Sequence, residues 1–270
     1  MTHRLCLITC LCLLLQPPCA SAATGKNYRD ARDAQAMNDV LIQIQAKDCA
    51  AAVQALNKGL AGQQPGVMML AGTMYEQGQC LKPDWERAAH FYQRAYEAGN
   101  NAALPRLISG YAEKNRDPGA ALWWQTKQGY PLPAECGSAN QLAGDPEAFV
   151  AALNAWPKDR LAACVYTAGV TQRILGDIQY QDGSRGYEQP GITIMRFVPA
   201  TGTITWTSER TGRIKVSQTE PASRDPRSLP DDVFLKRMHA IGERTLHQFA
   251  KPKNIDPAWK VDMKILFTYE

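Results

Sequence analysis

The sequence predicts an α+β fold: an N-terminal α/α solenoid of paired helices, then a small β-β-α-β unit. Three observations predict it. From about Ala34 to Ile178 apolar residues recur at helical spacing, with Ala frequent and Gly, Pro or Asn between segments. Four starts in that stretch place Asp three or four residues before Ala, at Asp48, Asp84, Asp117 and Asp145, with intervals of 36, 33 and 28. From Tyr180 onward the pattern changes to short alternating runs with one amphipathic helix among them.

The chain opens on a different kind of segment. Residues Met1 to Ala22 carry one Arg, an apolar run from Leu5 to Leu15, the breakers Pro17 and Pro18, and the small residues Ala20-Ser21-Ala22. That is the layout of a secretory signal peptide cleaved after Ala22. The run is far shorter than the ~20 residues a membrane-spanning helix needs, so no stable span is expected after cleavage. Pro17 and Pro18 also stand where a lipoprotein signal before Cys19 has small or branched residues, which argues against lipid attachment.

Cleavage changes the cysteine arithmetic. Of eight cysteines, Cys6, Cys10, Cys12 and Cys19 leave with the signal, and Cys49, Cys80, Cys136 and Cys164 remain. In an oxidising compartment an even set without zinc-type spacing reads as two disulfides. Cys49 follows Asp48 at one helix start and Cys80 lies in the turn entering the next, so stacked repeats bring those two together. Cys136 and Cys164 then pair by elimination. Each closed loop of about 30 residues contributes on the order of 3 kcal/mol on a chain-entropy view.

Within the helical stretch, residues 23–178, each Asp start reads as a capped N-terminus. The carboxylate accepts the free N–H groups of the first turn, and Pro118 and Pro146 occupy the next position, where proline costs nothing. Upstream of two starts lie Leu70-Ala-Gly-Thr-Met-Tyr75 and Leu107-Ile-Ser-Gly-Tyr111, with their tyrosines again 36 apart. Helix pairs repeating at this period form a solenoid. Met69-Leu-Ala-Gly-Thr-Met-Tyr75-Glu-Gln-Gly78 followed by Asp84-Trp-Glu-Arg-Ala-Ala-His-Phe-Tyr92-Gln-Arg-Ala95-Tyr-Glu-Ala-Gly99 resembles the Sel-one-like repeat, a relative of the tetratricopeptide repeat. A second copy, Leu107 to Gly129, keeps Tyr111, Ala121, Trp124 and Gly129, and the flanking copies at 34–62 and 139–156 are degenerate. The resemblance implies an α/α solenoid whose work is holding other proteins.

In residues 179–270, Ile192, Ile194 and Phe197, then Ile204 and Trp206, flank Pro199-Ala-Thr-Gly202, which predicts two strands and a hairpin turn. A polar loop, Thr211 to Pro230, precedes a helix signalled by Pro230-Asp231-Asp232 and carried by Val233, Leu235, Met238, Ile241, Leu246 and Phe249. The loop's Ser217 to Pro230 stretch reads as a mobile connection. Val261, Met263, Ile265, Phe267 and Tyr269 then alternate as a half-buried strand. Gly191-Ile-Thr-Ile-Met-Arg-Phe-Val-Pro-Ala-Thr-Gly202-Thr-Ile-Thr-Trp206, the helix ending at His247-Gln-Phe249, and Trp259-Lys-Val-Asp-Met-Lys-Ile-Leu-Phe267 together resemble the C-terminal domain of the TonB family. This segment has no cysteine and is expected to stand on a core of its own.

The remaining chemistry is sparse. Thirty basic residues against 26 acidic, a net charge of +4 without a Lys/Arg run, give no basis for nucleic-acid binding, and 45% hydrophobic content excludes a disordered chain. His90 falls in a repeat helix, and His239 and His247 are eight apart, too far for an i,i+4 metal pair. No nucleophile elbow, phosphate loop or HExxH motif occurs, so no catalytic residue, metal or cofactor is assigned. Of Tyr75, Trp85, Tyr92, Tyr96, Tyr111, Trp123 and Trp124, most fit the buried faces. Trp85 and Trp123 fall off the repeat pattern and are the candidate partner anchors. The expectation is a periplasmic adaptor binding other envelope proteins through the repeat surface and a sheet edge. The alternatives are a TonB-type transport component or a periplasmic hydrolase.

Overall fold

The computed structural model describes residues 21–182, 191–209 and 231–267. Residues 1–20, which hold most of the expected signal peptide, residues 183–190, residues 210–230, which include the whole expected loop from Thr211 to Pro230, and the last three residues lie outside the described residues. The described fold is α+β, mostly helical, with one three-stranded antiparallel sheet. The helices are α1 (Ser21–Gln45), α2 (Cys49–Ala61), α3 (Pro65–Gln77), α4 (Trp85–Glu97), α5 (Ala103–Ala112), α6 (Pro118–Gln125), α7 (Pro146–Asn154), α8 (Lys158–Asp182) and α9 (Asp231–Gln248). The strands are β1 (Gly191–Val198), β2 (Thr203–Glu209) and β3 (Val261–Phe267).

All four Asp starts cap helices. Asp48 accepts from the Ala51 N–H, Asp84 from Arg87, Asp117 from Ala120, and Asp145 from Glu147 and Ala148. Helix α3 has no such side chain at its own N-cap, Gln64. Asp33 on α1 supplies one from outside, accepting from Gly66 N at 2.7 Å and Val67 N at 3.2 Å. The same orphan donors are satisfied, and α1 is fixed to α3 in the process. Helices pack in the order α1 on α2, α3 on α4, and α5 on α6, with α4 also against α5. Where a fourth pair would begin, only the short 3-10 turns Ala134–Gly137 and Asn140–Leu142 precede α7.

Both disulfides join the expected partners, Cys49 with Cys80 and Cys136 with Cys164, at Cα separations of 4.9 and 5.5 Å. The first ties the start of α2 to the α3–α4 connection. The second ties a 3-10 turn to α8.

Helix α8 is the centre of the molecule. Every residue from 163 to 178 is buried, because α5 and α6 cover it on one side and α9 on another. A helix enclosed in this way must be tolerable to neighbours all round, and its interior reads Ala163-Cys-Val-Tyr-Thr-Ala-Gly-Val-Thr-Gln-Arg-Ile-Leu-Gly-Asp-Ile178. Its buried hydroxyls turn back on the helix: Thr167 donates to Ala163 O and Thr171 to Thr167 O, both at 2.8 Å.

In the sheet β1 is central, paired antiparallel with β2 and β3. Pro199 to Gly202 makes the hairpin turn, with Gly202 at φ 72° donating its N–H to Val198 O at 2.9 Å. Thr193, Met195 and Phe197 face inward with Trp206, Val261, Met263 and Ile265, while Arg196 and Asp262 pair across strands on the outer face at 2.7 Å. Ile192 and Ile194 share that outer parity and are half-buried. Met238 and Ile241 of α9 are buried, and α9 lies on β2.

The sheet does not have a core of its own. Its inward residues belong to the same apolar cluster as Leu107, Ile108, Phe149 and Val170 of the helical half. Aromatic packing is part of the junction: the rings of Tyr166 on α8 and Phe197 on β1 are 5.9 Å apart, and Phe249 seats against Gly169, where an added Cβ would lie 2.5 Å from its Cε1. The change of pattern near residue 180 therefore marks a change of secondary structure within one continuous core.

Candidate functional site

The polar cleft lies beside this junction. It encloses about 760 Å³, and its floor is built from Glu76 at the end of α3, Arg106 on α5, Glu113 just past α5, and Arg173 and Asp177 on α8. Arg106 is 1% exposed and Arg173 7%. Burying such charges costs several kcal/mol each unless they are paired and hydrogen-bonded, and here they are. Arg173 donates to Glu76 at 2.5 Å and to Glu113 at 2.9 Å. Arg106 meets Asp177 at 2.9 Å and Glu76 at 3.9 Å, and donates to Gly176 O at 3.1 Å. The Tyr92 hydroxyl completes the set, donating to Glu76 at 2.6 Å. Arg244 on α9 reaches the same cluster through Asp177 at 3.4 Å, so α3, α5, α8 and α9 meet in one network.

The electrostatics follow from this geometry. Burial alone pushes the Glu76 carboxyl up, but the Arg173 and Arg106 guanidiniums outweigh it and, with the Tyr92 bond, hold Glu76 below the usual carboxylate range. Burial, then the facing Glu76 charge, drives the Tyr92 phenol well above its ordinary value. For Arg173, burial works against the charge and Glu76 and Asp177 more than restore it. The floor is thus a set of fixed charges, each carboxylate facing a guanidinium.

The rim is less saturated. Pro83, Asp84 and Trp85 open α4 on one side, the turn Glu113–Asn115 with Arg116 borders another, and Arg244 and Gln248 of α9 close a third. Asp84 is occupied as a cap and pairs with Arg87 at 3.4 Å. Arg116 uses one nitrogen, on Gly110 O at 2.7 Å and on Glu113 at 3.5 Å, and lies 5.0 Å over the Trp85 ring. Lys114 makes no described contact, and it and Asn115 hold φ of 54° and 52°, the left-handed region that non-glycine residues rarely adopt.

No protein-family profile, characterised protein or solved structure matches the chain.

The two candidate anchors differ in placement. Trp85 sits on the cleft wall, half-buried, edge-on to Tyr111 at 5.2 Å, its indole N–H without a partner among the described residues. Trp123 lies away from the cleft, half-buried, donating to Ala143 O at 3.2 Å with Lys127 4.6 Å over its ring and Trp124 beside it. Tyr92 and Trp124 are buried as the repeat pattern requires. His90, His239 and His247 are exposed on their helices. Among the described residues no group of three or more His, Cys, Asp or Glu is placed to hold a metal ion, and no helix is long and apolar enough to cross a membrane. Sequence reasoning missed the cleft's charged floor. Its one local signal was the charged pair Arg173 and Asp177 inside an otherwise uncharged helical run.

Proposed function

We propose that the chain is an exported envelope adaptor that binds a protein partner. In this reading the helical stretch, residues 23–178, is a Sel-one-like solenoid, β1, β2, α9 and β3 form a TonB C-terminal-like unit, and the two disulfides are those of a protein working in an oxidising, periplasmic compartment. The observation that carries the reading is the cleft where the two stretches meet. Its carboxylates are locked to arginines, an arrangement suited to recognition by fixed charge. A hydrolase working through these acidic residues would want one of them poised to give and take a proton near neutrality, and Glu76 is held the other way. Within the described residues β2 and β3 are the sheet's outer strands, and strand addition there is the second mode of contact the adaptor reading allows.

Site-specific photocrosslinking of the full chain in the periplasm tests it. A photoreactive residue at Gln248 or Lys114 should capture a discrete protein, while one at Lys58 on α2 should not. Capture at none of the cleft positions, or equal capture at all three, overturns the reading.

A further inference from the structure

We propose that the cleft takes an acidic peptide segment of the partner, its carboxylates held by Lys114, Arg116 and Arg244; this rests on the adaptor reading above. The argument begins with which rim groups are still available. The floor is internally paired, and the carboxylates nearest the rim are already engaged: Asp84 caps α4 and faces Arg87, and Glu113 faces Arg173 and Arg116. What remains is cationic. Lys114 makes no described contact, Arg116 uses only Nη1, on Gly110 O and at 3.5 Å on Glu113, which leaves its other nitrogens open, and Arg244, half exposed, makes one 3.4 Å contact with Asp177. Donors outnumber open acceptors there, so the complementary group is an anion.

The arrangement selects among anions. The cations stand on two sides of the cleft, Lys114 and Arg116 at the Glu113–Asn115 turn and Arg244 on α9, which suits carboxylates spaced along a chain better than one compact anion. A polyphosphate or nucleic-acid backbone concentrates charge, and it would meet Glu76, Glu113 and Asp177 beneath the rim. Carboxylates on flexible side chains can stay at the rim. The volume of about 760 Å³ lies within the roughly 300–1,000 Å³ typical of ligand sites, and the half-buried Trp85 ring offers an apolar wall for the peptide's methylenes.

The test is fluorescence anisotropy on the full mature protein with fluorescein-labelled hexaglutamate, alongside hexalysine and a Gly-Ser hexapeptide. Hexaglutamate should bind saturably, weaken as salt is raised, and bind about fivefold more weakly to Lys114→Gln/Arg244→Gln, a loss of two exposed charge pairs. Lys58→Gln should match the parent. Circular dichroism and urea midpoints check that each variant folds, with Lys114→Gln alone as the milder substitution. The proposal is overturned by no saturable hexaglutamate binding up to about 1 mM, by equal binding of the Gly-Ser peptide, or by unchanged affinity in folded rim variants. Succinate or inorganic phosphate competing as well as hexaglutamate would also overturn it, assigning a small-anion site instead. Partner capture at Gln248 with hexaglutamate failing would leave the adaptor reading standing and remove only the acidic ligand.

Discussion

The indole of Trp85 lies against the bare backbone of Gly110, so close that a Cβ built on Gly110 would fall 1.8 Å from its Cη2. This contact sets how near α4 approaches α5, and it holds Trp85 in the cleft wall under Arg116. Gly110→Ala must therefore push the ring or the helix aside. We expect a loss of about 1–3 kcal/mol, the usual cost of overpacking, read as a lower urea midpoint together with a changed tryptophan emission. A wild-type midpoint would mean that the α4–α5 spacing is not set by this seat.

Glu76 joins both buried arginines. Replacing it with Gln keeps the shape but leaves Arg106 and Arg173 sharing fewer negative charges in a buried site. Breaking a buried pair in this way costs about 3–5 kcal/mol, which should make Glu76→Gln the most destabilising conservative change in the cleft floor. Chemical denaturation measures it. A loss below that of the exposed Arg196→Gln on the sheet would contradict the network's structural role.

The same groups set the pH limits of stability. Glu76 titrates lower in the folded chain than its ordinary value of 4.5, so the stability it contributes is present above that value and is lost as pH falls below it. Tyr92 titrates well above 10.0 when folded. Its contribution is complete below 10.0 and declines as pH rises past it, when the unfolded chain ionises first. Tyr166, pushed up to about 12 by burial, acts in the same direction. Urea midpoints between about pH 3 and pH 11 should show both limbs. Tyr92→Phe should flatten the alkaline limb, while any surviving acid limb reports the carboxylates.

The disulfides join positions 31 and 28 residues apart. On the chain-entropy view each contributes about 3 kcal/mol, so Cys49→Ala/Cys80→Ala and Cys136→Ala/Cys164→Ala should each lower stability by a similar amount. Non-reducing peptide mapping should return the two pairs as drawn. A Cys80–Cys136 peptide would refute the stacking that brings Cys80 to the start of α2.

How much of this was legible in the sequence depends on range. The Asp48, Asp84, Asp117 and Asp145 caps act within three residues of themselves, and Val261, Met263 and Ile265 alternate within one strand, so local pattern was enough. The disulfides needed the repeat period as well, which places Cys80 one unit beyond Cys49. The cleft floor had no such guide. Glu76, Arg106, Glu113, Arg173, Asp177 and Arg244 come from four helices and one turn, and each taken singly reads as a solvated charge. The shared core was hidden for a related reason. A change from helical to alternating pattern reports secondary structure, whereas the seating of Phe249 on Gly169 joins residues 80 positions apart. Only the unbroken run of small, apolar and few polar residues in α8 hinted that this helix is enclosed on every side.

Lys114 offers a test in which stability and binding should part company. Its left-handed φ of 54° is costly for a residue with a Cβ, and glycine adopts that conformation freely while adding disorder to the unfolded chain. The balance favours glycine by about 0.5–1 kcal/mol, so Lys114→Gly should raise the urea midpoint slightly even though it deletes a charge. Ala at the same position keeps the Cβ and gains nothing in the folded chain, so it should not share the increase. If the cation serves the rim, Lys114→Gly and Lys114→Ala should weaken hexaglutamate binding alike while differing in stability. A Lys114→Gly variant that is less stable than Lys114→Ala would show that the turn does not carry this strain.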